Sequence, residues 1–165
     1  MITELPFLLS IAGLSASLAG LAGLVAGLRR SDGLRPLDAF RLREIVEFAF
    51  ANALLALSVV PIATLTGSAE TAVRIVAAAA GIYLATIAVI LFRRLRHADI
   101  AMTTWIRIAG ALDILIVVAV VAAIATGSMA VFHVMLILLL ARPMVAFLFV
   151  LASFDAGPPG PPPAA

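Results

Sequence analysis

Two oppositely charged side chains lie inside stretches that otherwise lack polar residues. Asp113 lies in ALDILIVVAVV and Arg142 lies in LILLLARPMVAF. An isolated charge in hydrocarbon costs at least about 2.5 kcal/mol on insertion scales, and a lone carboxylate can escape that cost by taking up a proton. Asp113 precedes Gly127 by almost the same distance along the chain as Arg142 follows it. Because a helix rises about 1.5 Å per residue, the spacing predicts a charge-assisted Asp113–Arg142 ion pair at one depth of a helical hairpin.

A second pair of polar side chains repeats this spacing around Gly67. Asn52 precedes that glycine, and Tyr83 follows it, by nearly equal lengths of chain that also match those around Gly127. We therefore predict a buried polar layer with one side chain on each of four helices, which consists of Asn52, Tyr83, Asp113 and Arg142. Ser15 or Ser17 of the first apolar stretch lies at a similar level.

Two interpretations of this layer stay open. In the structural one, the polar groups set the register and the partners of helices that lipid cannot sort by hydrophobicity. In the functional one, ionisable groups inside a membrane mark the path of a proton, an ion or a substrate.

Three further residues are candidates for a polar site. Glu44 and Glu47 lie near the inner start of the second apolar stretch, where a helix dipole favours acids. They form either an interfacial charge cluster or an inner entrance that leads to Asn52. His133 lies nearer the outer side and on the opposite helix face from Arg142, so it is a possible outer polar site, either in a proton relay or in a simple hydrogen bond.

The composition excludes several classes of chemistry. The chain has no cysteine, and all of its 11 basic residues are arginine. Disulfides, thiol redox chemistry and cysteine-ligated metals are therefore excluded, as is Schiff-base chemistry on lysine. The sequence also lacks the common hydrolase and metalloprotease motifs. We expect no catalytic residue, no metal and no cofactor.

The composition also indicates a protein that lies in lipid. Of the 165 residues, 64% are hydrophobic and 12% are charged, whereas a soluble domain is about half apolar and a quarter charged. A spanning helix needs about 20 mostly apolar residues. Five stretches meet this requirement and predict an all-α bundle of five transmembrane helices: 5–28, 45–65, 72–92, 106–125 and 130–154. Four spans with a re-entrant first segment are the alternative.

Arginines predict the orientation of this bundle. Basic residues cluster in the first and third connections, and the second and fourth have none. Basic residues in short loops stay cytoplasmic, so the N-terminus lies outside and the C-terminus inside. These side chains are expected to contact anionic lipid headgroups: Arg29, Arg30, Arg35, Arg41, Arg43, Arg93, Arg94 and Arg96. The arginine-only, alanine-rich composition indicates a bacterium and hence its inner (plasma) membrane.

Two segments flank the predicted spans. Residues 36–44 predict a short interfacial helix that bends into the second span, with Ile45 facing lipid. Residues 1–154 then form one transmembrane bundle. The Pro- and Gly-rich residues 155–165 form a flexible cytoplasmic tail.

The sequence leaves two functions open. The first is a non-catalytic accessory or scaffolding subunit, or a homo-oligomer, of the inner membrane. The alternative is a minimal transporter or an ion or proton channel that uses the Asp113 and Arg142 layer. The expected partners are the lipid bilayer and either a second copy or another membrane protein, not nucleic acid. Small residues in the first span, including Gly23 and Gly27, favour close helix packing, which we expect to occur within the bundle.

Overall fold

The described part of the protein is a bundle of five long helices. The computed structural model describes residues 4–28, 36–95 and 104–155. The helices are α1 (Leu5–Leu28), α2 (Pro36–Thr66), α3 (Ala69–Leu95), α4 (Thr104–Thr126) and α5 (Met129–Asp155). Each is long and apolar enough to span a membrane. The expectation of an all-α fold with five candidate spans is therefore confirmed.

Helices α1 and α2 bear on two expectations from the sequence, a re-entrant first segment as the alternative to a full span and a separate interfacial helix before the second span. Helix α1 is unbroken over 24 residues, which favours a full span over a re-entrant segment. Helix α2 is unbroken over 31 residues, so a separate interfacial helix over residues 36–44 is not confirmed. The start of α2 packs inside the bundle, because Leu42 and Ile45 form a small core with Ala22, Ala146 and Val150. The expectation that Ile45 faces lipid is wrong, since it is fully buried.

Helices α2 and α5 form the centre of the bundle. Helix α2 packs against α1, α3 and α5, and helix α5 packs against all four other helices. Small side chains permit the close approach of these helices in the absence of a hydrophobic driving force in lipid. Fully buried alanines accordingly line α2 and α3: Ala49, Ala56, Ala72, Ala77 and Ala80.

Two tight turns join the neighbouring helices at one end of the bundle, which we call the turn end. Gly67 and Gly127 both have positive φ, 68° and 62°, a conformation that only glycine adopts without steric cost. After the first turn, the Ser68 hydroxyl accepts a hydrogen bond from the Thr71 backbone N–H at 3.2 Å and caps the start of α3. We call the opposite end, where α2 begins, the arginine end.

The two hairpins, α2–α3 and α4–α5, are displaced along the bundle axis. Gly127 lies against Glu70 and Arg74 of α3, not level with Gly67. Arg74 forms an ion pair with Glu70 at 2.7 Å and donates to the Ala125 carbonyl at 3.5 Å. Because Gly127 lies near the middle of residues 70–74, the α4–α5 turn is about 7 Å closer to the arginine end than Gly67 is.

This displacement makes the two turn glycines unequal. We expect Gly127→Ala to destabilise the protein more than Gly67→Ala does. Both changes carry the cost of a left-handed residue, about 1–2 kcal/mol. At Gly67 an added Cβ meets open space, whereas at Gly127 it contacts Glu70 Cγ and lies 3.0 Å from Arg74 Nε. The midpoint of unfolding by sodium dodecyl sulfate in mixed micelles measures the difference, and equal midpoints would contradict the displaced arrangement.

The glycines of α1 do not pack inside the bundle. Helix α1 contacts its neighbours through Leu8, Ile11, Ser15, Ala19 and Ala22. An added Cβ would meet nothing within 4 Å at any glycine of the outward face, which comprises Gly13, Gly20, Gly23 and Gly27. The expectation of packing within the bundle is therefore wrong for Gly23 and Gly27 but holds for Ser15, Ala19 and Ala22. We call the four glycines the glycine face.

Candidate functional site

A buried guanidinium connects three helices. Arg142 of α5 is 2% exposed. Its Nε donates to Asp113 Oδ1 of α4 at 2.9 Å, and its Nη2 lies 2.6 Å from Glu44 Oε1 of α2. The predicted Asp113–Arg142 ion pair is confirmed. We call Glu44, Asp113 and Arg142 the Arg142 network.

The two carboxylates of the network have different surroundings. The Glu44 side chain is 10% exposed, and its Oε2 is buried with no hydrogen-bond partner. The Asp113 side chain is 43% exposed. Asp113 is therefore the accessible partner of Arg142, and Glu44 is the partner inside the bundle. The sequence analysis treated Glu44 only as an entrance or a charge cluster and missed this contact.

An aromatic pair adjoins the network. The Phe48 ring, one turn after Glu44, lies 5.5 Å from the Arg142 guanidinium carbon, within the range of a cation–π contact. The Phe48 ring also contacts the Tyr83 ring edge-on, with the two ring centroids 6.1 Å apart. Tyr83 donates from its hydroxyl to the Glu47 backbone carbonyl at 3.2 Å. Tyr83 thus reaches Arg142 only through Phe48, a residue that the sequence analysis did not select.

Asn52 belongs to a different level of the bundle. Its amide donates to the Ser15 hydroxyl at 3.1 Å and to the Leu136 carbonyl at 3.3 Å. Asn52 lies two helical turns beyond Glu44, about 12 Å along α2. The predicted single layer of four polar side chains is therefore wrong: the hairpin displacement places the Asn52 contacts nearer the turn end than the Arg142 network. The expected proximity of Ser15 is confirmed.

A sequence pattern on α2 indicates that several of these side chains share one helix face. Glu44, Phe48 and Asn52 follow one another at every fourth position, which places them along one face of a helix. All three are buried. This stripe contacts α5, through Arg142 and through the Leu136 carbonyl.

Two further ion pairs lie on the first turns of α2. Arg41 and Asp38 are both buried, and their charged atoms are 3.6 Å apart. Arg43 donates from Nε to Glu47 Oε1 at 2.7 Å, and both of these side chains are well exposed. Exposed pairs of this spacing contribute little to stability. Glu47 therefore has no strong structural role in this pair, and its exposed side chain lines the cleft described next.

A cleft opens between α2 and α3 at the arginine end. Its volume is about 160 Å³, and its lining includes Phe40, Arg43, Glu44, Glu47, Phe48 and Ile87. Glu44, the network residue inside the bundle, is one of the residues that line it. The two residues predicted to form an inner entrance, Glu44 and Glu47, thus both line this cleft. The lining includes a member of the Arg142 network but not Asn52.

His133 lies apart from this site, toward the turn end. Its Nε2 is 3.5 Å from Glu4 Oε2, and its ring stacks on Phe7 with centroids 4.1 Å apart. The contact joins the start of α1 to α5. No described residue connects it with Arg142.

Two of the arginines predicted to contact lipid headgroups form ion pairs on α2. Arg41 is buried against Asp38 and Arg43 is exposed beside Glu47. The other predicted lipid contacts lie outside the residues whose side chains the structure describes: Arg29, Arg30, Arg35, Arg93, Arg94 and Arg96.

The chemistry that the described side chains show at the site is charge pairing. Among the described residues, no group of three or more histidine, cysteine, aspartate or glutamate side chains is arranged to hold a metal ion. No family model, curated protein or solved structure matches this chain. The function is therefore argued from the site alone.

Proposed function

We propose that this protein is a non-catalytic scaffolding or accessory subunit of a bacterial inner membrane, with its N-terminus outside and its C-terminus inside. The observation that supports this proposal best is the Arg142 network. One guanidinium at 2% exposure joins carboxylates of two other helices. Such a contact holds α2, α4 and α5 in one register, which a scaffold requires.

The core beyond the network also favours a scaffold. Toward the turn end, the next buried polar groups among the described residues are Asn52 and Ser15, which bond to each other. From there the core contains packed apolar side chains, including Val59, Phe132 and Met135. A conduction path needs polar groups along its length, whereas past Asn52 every buried side chain of this core cluster is apolar and the next described polar contact is that of the partly buried His133 with Glu4.

The glycine face supports association with a further helix. Its four glycines lie on the outward side of a helix that is long and apolar enough to span the membrane, and small residues let helix backbones approach closely in lipid. We propose that a second copy of the chain or another membrane protein covers this face.

Its test is the mass of the purified protein. In maltoside micelles, we expect light scattering to give more than one protomer, or a partner to co-purify. Gly20→Leu with Gly23→Leu should abolish the association without changing the unfolding midpoint. Ala85→Leu with Ala88→Leu, two bulky changes at exposed positions of α3, should leave it intact. A monomer that co-purifies with nothing contradicts the proposal.

A minimal transporter or ion or proton channel is the second candidate, because the cleft reaches Glu44 and Asp113 is 43% exposed. This candidate predicts a proton or solute flux in proteoliposomes that Asp113→Asn abolishes while folding and expression stay normal. Glu70→Gln, at the turn end, is the control and should leave the flux unchanged. Equal flux in Asp113→Asn and wild type excludes this mechanism.

A further inference from the structure

The cleft between α2 and α3 has the size of a small binding site. Its volume is about 160 Å³, and apolar cavities of about 150 Å³ hold one benzene molecule. Phe40, Phe48 and Ile87 supply apolar walls, and Glu44 and Glu47 supply carboxylates. A guest of one ring with one charged group matches both the volume and the lining.

Among the side chains that the structure describes, the charges around the cleft favour a cation. Arg43 contacts Glu47 at 2.7 Å, so these two charges in the wall offset each other. The Arg142 network contains two carboxylates and one guanidinium. With every group ionised, the network carries one negative charge in excess, and that charge lies within a candidate membrane span.

Glu44 offers an acceptor that the protein does not use. Its Oε1 lies 2.6 Å from Arg142 Nη2, whereas its Oε2 is buried without a hydrogen-bond partner. A buried acceptor left unsatisfied is destabilising. An ammonium group carries the donors that this oxygen lacks, and aromatic faces attract the same group.

We propose that this cleft binds a small organic ammonium ion, whose charged group lies against the Glu44 carboxylate and whose apolar part lies among Phe40, Phe48 and Ile87. The inference depends on the cleft and not on the scaffolding proposal, so either can fail without the other. If the protein is a transporter, the cleft is its substrate site.

The test uses benzylamine as the probe and benzyl alcohol as its neutral counterpart of similar shape. The full chain is titrated with each by calorimetry in uncharged maltoside micelles, with protein-free micelles as the blank. We expect saturable binding of benzylamine at one site and at least about tenfold weaker binding of benzyl alcohol, because only the amine pairs with a buried carboxylate. Equal affinity for the two probes, or binding of neither, would overturn the proposal.

Two variants locate the binding in the cleft. Glu44→Gln should weaken benzylamine by at least about tenfold, whereas Glu70→Gln, an exposed carboxylate at the turn end, should have no effect. Ile87→Trp fills the cleft without changing its charge and keeps the test valid should Glu44→Gln fold poorly. Ile82→Trp, on the lipid-facing side of the same helix at 71% exposure, is its control. Wild-type affinity in both Glu44→Gln and Ile87→Trp would show that the amine binds elsewhere.

The ammonium group could come from a soluble amine or from a lipid headgroup. Adding phosphatidylethanolamine to the micelles distinguishes the two, with phosphatidylglycerol as the control that has no amine. Competition by phosphatidylethanolamine alone identifies the headgroup as the occupant, and benzylamine affinity that neither lipid changes identifies a soluble amine. Equal competition by both lipids overturns recognition of the ammonium group.

Discussion

Arg142→Met is expected to lower the free energy of unfolding by about 3–5 kcal/mol, the cost of leaving buried charges without their partner. Methionine keeps much of the length of the side chain but removes the charge that Glu44 and Asp113 share. Glu44 is the more affected of the two, because its side chain is 10% exposed and cannot turn to water. Unfolding by sodium dodecyl sulfate in mixed micelles measures the change.

The control for this prediction is Arg74→Met. Arg74 also forms an ion pair at 2.7 Å, but the side chains of Arg74 and Glu70 are 48% and 61% exposed. Exposed pairs contribute about 0–1 kcal/mol, so this variant should unfold close to the wild type. Equal losses in Arg142→Met and Arg74→Met would show that burial of the Arg142 network has no energetic weight.

A rescue separates lost charge from lost packing. Adding Glu44→Gln and Asp113→Asn to Arg142→Met removes the carboxylates that the first change leaves unpaired. Replacing a whole buried ionic group by neutral residues is often nearly neutral. We therefore expect the triple variant to recover most of the lost stability. Failure to recover would indicate that Arg142 acts mainly through the volume and shape of its side chain.

The second large effect is expected when both carboxylates are neutralised together. Glu44→Gln alone leaves Arg142 paired with Asp113, and Asp113→Asn alone leaves it paired with Glu44, so each should cost about 1 kcal/mol, the worth of one hydrogen bond. The double variant leaves a guanidinium at 2% exposure with neither of these acids and should cost about 3–5 kcal/mol. The loss in the double variant should exceed the sum of the single losses.

A double-mutant cycle measures this excess. Residues that share a partner show coupling of about 0.5–3 kcal/mol, and we expect the upper part of that range. Glu47→Gln with Asp113→Asn is the matched control, because Glu47 is also an acid on the first turns of α2 but pairs with Arg43. Additive effects in the Glu44 cycle would mean that the two acids do not share Arg142.

A scaffold and a cation site would depend on different parts of the Arg142 network. A scaffold needs the network intact, since Arg142 joins α2, α4 and α5. The cation site needs only the Glu44 carboxylate and the walls of the cleft. Glu44→Gln should therefore lose the amine and keep the fold, whereas Arg142→Met should lose much of the fold.

The amino-acid sequence by itself determined the five helices, since long, mostly apolar stretches must satisfy their backbone hydrogen bonds internally in lipid. It also determined the Asp113–Arg142 pair, because both residues belong to one hairpin whose turn at Gly127 sets their relative depth. Counting residues from the Gly127 turn gave the right pair, since the helical rise is constant, whereas counting from Gly67 did not bring Tyr83 to Asn52.

Only the tertiary structure decided how the two hairpins lie against each other. Gly67 and Gly127 belong to different hairpins, so their relative position along the bundle axis depends on side-chain packing. The Gly127 turn lies against Glu70 and Arg74. That displacement brings Glu44 to Arg142 and leaves Asn52 with Ser15. The chain thus encodes its helices and its hairpin contacts locally, and the third member of its ion network arises from packing between segments far apart in sequence.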